Sequence, residues 1–335
     1  VEAHAALFAH HLALWLEADR MASLRIDDDK FKNEREVVRE ERRMRFDNQP
    51  FGRLTEILYD KAFTTHPYKH ETIGSMEDLQ AATTADVIAF HDTYYVPNNA
   101  TVTIVGDFDT ATAQQLVQQY FGRVPKGKPV PRDIPKEPAQ TAERTFNLQE
   151  DWPLPAVIVA YHVAPDATPD AYPTHVLDKI LGDGDASRLY RSLVYEKRLA
   201  LAAFAEAKIV EHPNLFYAVA IVQPPNRPAD VIREMIAQID KLKTEPVSEA
   251  ELNKAKRQWA RDYILGRETV QQKALHLAHA VVIHDDVKSA DGEFDLFQNV
   301  TAADVQRVAK TYFTPENRTV LTIMPRGGRM PGGVQ

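Results

Sequence analysis

Glu34 and Glu41, seven residues apart in the run FKNEREVVREERRMRF (31–46), are the residues whose type and spacing ask most directly for chemistry. At helical spacing Phe31, Glu34, Val37, Val38, Glu41 and Met44 fall on one face, and Arg35, Arg39, Arg42 and Arg43 on the other. Two carboxylates therefore share an apolar stripe. Taking a carboxylate out of water is costly unless it is paired, hydrogen-bonded or bound to a cation, so such a face asks for a partner, and a metal ion is one. The alternative is a solvated helix whose glutamates reach arginines of the same helix. The residues alone leave both open, and the arginine face reads as solvated.

The elements that must position this run are legible around it. Leu7, Phe8, Leu12, Trp15 and Leu16 recur at helical intervals, predicting a helix over about 5–24 that ends before RIDDDK. Asp27 to Asp29 are suitable N-caps for the glutamate helix. After Asn48-Gln49-Pro50 a helix, GRLTEILYDKAF, leads to the turn-rich THPYKHETIG, where His66 and His70 read as loop residues. Residues 84–95 read as helix, ATVTIVG (100–106) as a strand by its β-branched alternation, and TAQQLVQQYFG as helix. Residues 124–141, with five prolines, read as an extended, solvated linker. Beyond it TFNLQ, AVIVAYHV, LAAFAEAK and LFYAVAIVQ are strand candidates, with helices around 171–182, 187–197, 228–243, 248–265 and 269–284. The final RGGRMPGGVQ (326–335) reads as a tail.

A chain of 335 residues exceeds a usual single core, so two domains are expected. Its 44% hydrophobic and 26% charged residues are those of an ordinary globular protein, with no apolar run long enough to span a membrane. Lys+Arg 40 against Asp+Glu 48, a net charge of −8, argues against a nucleic-acid partner. With no cysteine, disulfides and thiolate metal sites are excluded. The first residues lack the basic flank and unbroken apolar core of a signal peptide and read as a mature amphipathic helix, so periplasm and cytoplasm are both compatible.

An internal repeat sets the expected architecture. Residues 85–102, ADVIAFHDTYYVPNNATV, align without gaps to 303–320, ADVQRVAKTYFTPENRTV, an offset of 218; chance would give roughly one identity in such a window. This reads as a duplication of an α+β unit: 1–123 in the first copy, 124–141 as linker, 142–325 in the second, then the tail. With copies of similar length, the first lacks roughly 75 residues at its N-terminal end.

LALWLEADRM (12–21), the E-R-x-V-V-x-x-E run from Glu34 to Glu41, HPY (66–68), YYVPNNATVTIVGDFD (94–109) and SRLYRSLVYEKRLA (187–200) together resemble the insulinase/pitrilysin-type (inverted zincin) metallopeptidases. The likeness is greatest to the bacterial and mitochondrial-processing-peptidase branch. The resemblance implies two homologous domains, each a largely antiparallel sheet packed with helices, and a zinc endopeptidase that encloses peptides in a chamber between two halves. It also implies zinc held by two histidines of an H-x-x-E-H helix, with Glu41 as third ligand and Glu34 supporting the site by orienting a ligand.

None of the twelve histidines sits in H-x-x-E-H. His4, His10 and His11 lack the glutamate, and His276 and His279, an i, i+3 pair, read as structural or exposed. The motif would fall about 35 residues before Val1, so truncation or processing is expected rather than loss. The resemblance further implies an arginine after S-R-L and a tyrosine seven residues later, binding substrate. Here those positions are Val194 and Leu201, with Tyr195 and Arg198 out of register. A homologous partner subunit carrying that pair is therefore expected, a homodimer being the alternative. A non-catalytic core subunit of the same fold is the other reading. Glu34 and Glu41 offer at most two carboxylates, about 10 Å apart along the helix axis and too far apart to chelate one ion directly, so residues 1–335 alone are expected to bind zinc weakly, if at all, and to cleave no peptide, with Glu41 either buried or exposed where absent elements would pack.

Overall fold

AVIVAYHV and NLFYAVAIV are apolar without alternation, the pattern of strands covered on both faces. They form β2 (Ala156–Val163) and β4 (Asn214–Val222) inside a five-stranded sheet. A computed structural model describes residues 2–327, with side chains from residue 11 onward; the side chains of His4 and His10, and the tail beyond Gly327, lie outside what is described. The strand order is β1-β5-β2-β4-β3, with β1 (Arg144–Glu150), β3 (Ala200–Ala207) and β5 (Arg318–Pro325) completing it. β1 and β5 are parallel; the other neighbours are antiparallel.

The period of two divides β2 between two cores. Val157, Val159 and Tyr161 face helices α7 (Ala171–Gly182), α9 (Pro228–Thr244), α10 (Glu249–Leu265) and α13 (Ala302–Tyr312). Ala156, Ile158 and Ala160 face α3 (Leu54–Ala62), whose Leu54, Ile57, Leu58 and Ala62 are buried there. A helix from the first part of the chain thus closes the sheet of the second.

Before and after α3 stand α1 (Glu2–Ser23), α2 (Asp28–Arg42, running on as a π-helical turn to Asp47), α4 (Met76–Ala81), α5 (Thr84–Tyr94) and α6 (Thr110–Tyr120). The one-turn α8 (Arg188–Tyr190), α11 (Val270–His284) and α12 (Ser289–Gln298) complete the helices used below. α5 and α13 sit at the repeat offset and carry the same capping box, Thr83 with Asp86 and Thr301 with Asp304.

One expectation needs correction: residues 100–106 form no β-ladder, and the described residues hold one sheet. β-propensity marks a segment that fits a sheet, but a ladder needs a neighbouring backbone. At the repeat offset β5 has such neighbours on both sides, β1 and β2; no described strand lies beside 100–106.

The segment 124–141 carries neither helix nor strand, as its prolines require, yet it is tied down. The Glu137 carboxylate accepts hydrogen bonds from the backbone N–H groups of Thr64, Thr65 and His66 at 2.8–3.0 Å, and from the Thr64 hydroxyl. Partial burial raises its pKa, but these donors outweigh burial and hold it at about 2, below its ordinary 4.5. A depressed folded value means that the stabilisation is complete above pH 4.5 and is lost as pH falls towards 2. Glu137→Gln should therefore flatten the acid limb of a stability-versus-pH curve in that window, measured as the urea midpoint.

Candidate functional site

α2 starts where the sequence places it, at the N-cap Asp27, whose carboxylate accepts from the Lys30 backbone N–H at 2.9 Å. Its two faces are the reverse of the hydropathy reading. The arginine face is covered: Arg42 is 4% exposed, and donates to the Gly74 carbonyl at 2.8 Å and to both Glu56 carboxylate oxygens at 2.8 and 3.1 Å. Arg35 reaches the Ala82 carbonyl and Arg39 the Met76 sulfur. A guanidinium can be buried when its fork is satisfied, and its stem packs like an apolar chain. Arg42→Ala should cost about 3 kcal/mol in urea unfolding, since it leaves a half-buried Glu56 without its main cation. Arg42→Lys should recover part, because an ammonium lacks the planar fork that serves carboxylate and carbonyl together.

The acidic face is open. Val37 and Met44 are 60% and 61% exposed, Glu34 is exposed, and the half-buried Glu41 pairs with Arg45 at 2.9 Å. Glu41 thus makes the intrahelical ion pair that was one of the two alternatives. At the repeat offset, Glu34, Val37 and Glu41 correspond to Leu252, Ala255 and Trp259 of α10, all buried. That face of α10 lies in the same core as Val176, Leu177 and Ile180 of α7, Trp259 stacks on Phe297 with centroids 3.6 Å apart, and Lys179 of α7 donates to Asp262 at 2.8 Å. Positions related by the repeat offset are therefore covered on α10 and open on α2. Alongside, α1, residues 100–105, α6 and the start of α11 line a cleft of about 790 Å³, largely apolar through Leu14, Met21, Val102, Ile104 and Leu116.

Zinc at α2 would need donors beside Glu41. Among the described residues, the one group of three His, Asp or Glu donors close enough to share an ion lies elsewhere, at Asp166, His279 and His284. The described residues therefore fit Glu41 as a single ligand and do not by themselves fit a zinc ion at α2. Val194 lies half-buried against the main core, Leu201 is exposed on edge strand β3, and Tyr195 is exposed.

The histidines divide by environment. His11 bonds the Tyr120 hydroxyl at 3.1 Å. His66, expected as a loop residue, is buried with Phe63, Tyr68 and His212 around it, and burial lowers its pKa. The i, i+3 pair separates: His276 contacts Arg267 and the Ala290 carbonyl, while His279 turns to Asp166. Asp166 lies far from His279 in sequence, so the only trace available beforehand was the third histidine, His284, closing the same helix.

Solved structures define the class. The chain superimposes on a protease from Helicobacter pylori with a TM-score of 0.87 at 32% identity, covering 94% of this chain and 76% of that one. It shares its fold with a peptidase M16 inactive domain from Pseudomonas fluorescens, TM-score 0.82 at 17% identity, over 93% of this chain and 74% of the other. The protein is an α+β protein of peptidase fold. Its family follows from sequence: residues 81–259 match the family described as Peptidase M16 inactive domain. Zinc protease PqqE of Helicobacter pylori is 33% identical over 93% of this chain and 71% of its own length. Mitochondrial-processing peptidase subunit beta of Saccharomyces cerevisiae is 22% identical over 84% and 63%. The chain belongs to the M16 peptidase family, the insulinase/pitrilysin family to which its motifs pointed.

Proposed function

We propose that this chain supplies the carboxylate half of the zinc site in an M16 metalloendopeptidase acting on peptides. One observation carries the reading: Glu34, Val37, Glu41 and Met44 form an uncovered face on α2, where the counterpart face on α10 is packed against α7. A helix of H-x-x-E-H sequence covering α2 in the same way would supply the two imidazoles that Glu41 lacks. Zinc bound there would lower the pKa of its water and polarise a scissile carbonyl.

This chain's own residues have narrower tasks. Glu41 offers an anionic oxygen from a rigid helix, and leaves its ion pair with Arg45 to do so. Glu34, two turns earlier, accepts from an imidazole N–H and so fixes which nitrogen faces the ion. Val37 and Met44 form a wall that sheds water once covered. The apolar Val194 and Leu201 cannot hydrogen-bond a peptide through their side chains, so a homologous chain with Arg and Tyr completes the chamber, as a heterodimer, or a second copy does so in a homodimer.

The same two apolar residues, with the incomplete donor set at α2, favour a second reading: a core subunit without chemistry. A fluorogenic peptide assay separates them. Residues 1–335 alone should show no turnover, and turnover should appear when an H-x-x-E-H segment and an Arg/Tyr-bearing homologue are present. Turnover by residues 1–335 alone overturns the proposal; a silent, fully assembled complex establishes the core-subunit reading.

A further inference from the structure

We propose that Asp166, His279 and His284 form a separate site for one divalent transition-metal ion of the zinc type. Asp166 lies in the loop after β2, held by its backbone N–H on the Val210 carbonyl at 2.8 Å. Its carboxylate is 14% exposed, and Oδ1 accepts from the Ala167 N–H at 2.7 Å. α11 ends at His284, where Asp285 turns the chain out in the left-handed region at φ 53°. His279 and His284 straddle this last turn with ring centroids 5.6 Å apart. Both aim Nε2 at the same carboxylate: His279 lies 3.1 Å from Oδ2 and His284 3.5 Å from Oδ1.

These distances suit an ion. Zinc bonds of about 2.0–2.1 Å in tetrahedral array place neighbouring donors about 3.3 Å apart, and both carboxylate–imidazole distances are already of that size. All three donors lie within 4.8 Å of one another, so a small rotation of the exposed His279 ring closes the set. The last carbonyls of α11 favour positive charge at this end of the helix. Arg267, the guanidinium acting on His279, is committed to Glu293 at 2.7 Å and to the Tyr263 ring. Two imidazoles and one carboxylate select zinc, cobalt or nickel over magnesium or calcium, and the open side leaves a position for water. Binding frees the two Nε2 lone pairs: a neutral imidazole carries its proton on Nδ1 instead, and a protonated one releases a proton to solvent. The ion would then tie the β2–α7 loop to the end of α11.

The test uses untagged residues 1–335 stripped of metal, titrated with zinc chloride by calorimetry and with cobalt(II) by absorption. One equivalent should bind, with tetrahedral cobalt bands, and zinc should raise the melting temperature. Asp166→Asn, His279→Gln and His284→Gln should each weaken binding at least about tenfold and remove the zinc-dependent rise. His276→Gln should change neither. His279 is the exposed member of the set, so its variant reads the site with least risk to the fold, checked by an unchanged metal-free melting temperature. Absence of binding by the unaltered chain, or binding at full strength in the His279 and His284 variants, overturns the site.

Discussion

In the enzyme assembled with an H-x-x-E-H segment, Glu41→Gln should strip zinc and lower peptide hydrolysis far beyond the about 10- to 100-fold that loss of a ligand's supporting residue costs. Glutamine keeps the size of glutamate and its place on the exposed face of α2, so the fold is unchanged and only the anionic oxygen is lost. Glu34→Gln should fall within that 10- to 100-fold range, because an amide oxygen still accepts from an imidazole N–H while its charge is gone. Zinc per chain by elemental analysis, read beside kcat on a fluorogenic peptide, checks both. The order of the two effects matters: equal losses would deny the separate roles, and unchanged zinc and rate in Glu41→Gln would remove Glu41 from the site.

Trp259→Ala should destabilise the chain by about 3–5 kcal/mol, the usual cost of deleting a large aromatic side chain from a core. Its ring is buried among α7, α10 and α12, stacked on Phe297 and tilted against Tyr263. Glu41→Ala, at the corresponding position of α2, should cost less than about 1 kcal/mol, because it removes one exposed ion pair to Arg45. Urea unfolding of residues 1–335 measures both. The contrast follows from the position being covered on α10 and open on α2, and similar costs would contradict an open α2 face.

The sequence announces some of this directly. β2 and β4 are readable because unbroken apolar runs of strand length fit only the middle of a sheet. Asp27 marks the start of α2 because an aspartate before a helical run caps its free N–H groups. Which face of α2 is covered is not readable: hydropathy scores arginine as exposed, whereas Arg42 is buried by Glu56 and the Gly74 carbonyl, partners set by tertiary packing. Residues 100–106 have the composition of a strand, but pairing is decided by what lies beside them.

Likewise, no spacing rule places α3 on a sheet whose strands begin at Arg144, or turns His279 away from His276 towards Asp166. Glu34 and Glu41 stand out as acids on an apolar stripe. Resemblance to a family implies their roles as ligand and supporting residue; the family match covers residues 81–259 and includes neither glutamate. Geometry beside an ion would separate two such roles, and no periodicity encodes that.

Anomalous diffraction at the zinc absorption edge, on crystals of the enzyme carrying its H-x-x-E-H segment, tests the central claim most directly. A peak is expected beside α2, with a Glu41 carboxylate oxygen about 2.0–2.2 Å from the ion and Glu34 bonded behind it to an imidazole N–H. Any peak at Asp166, His279 and His284 should persist when Glu41 is changed to glutamine. Peptide hydrolysis by crystals whose only zinc lies away from α2, or a fully occupied zinc that makes no contact with Glu41, would contradict it.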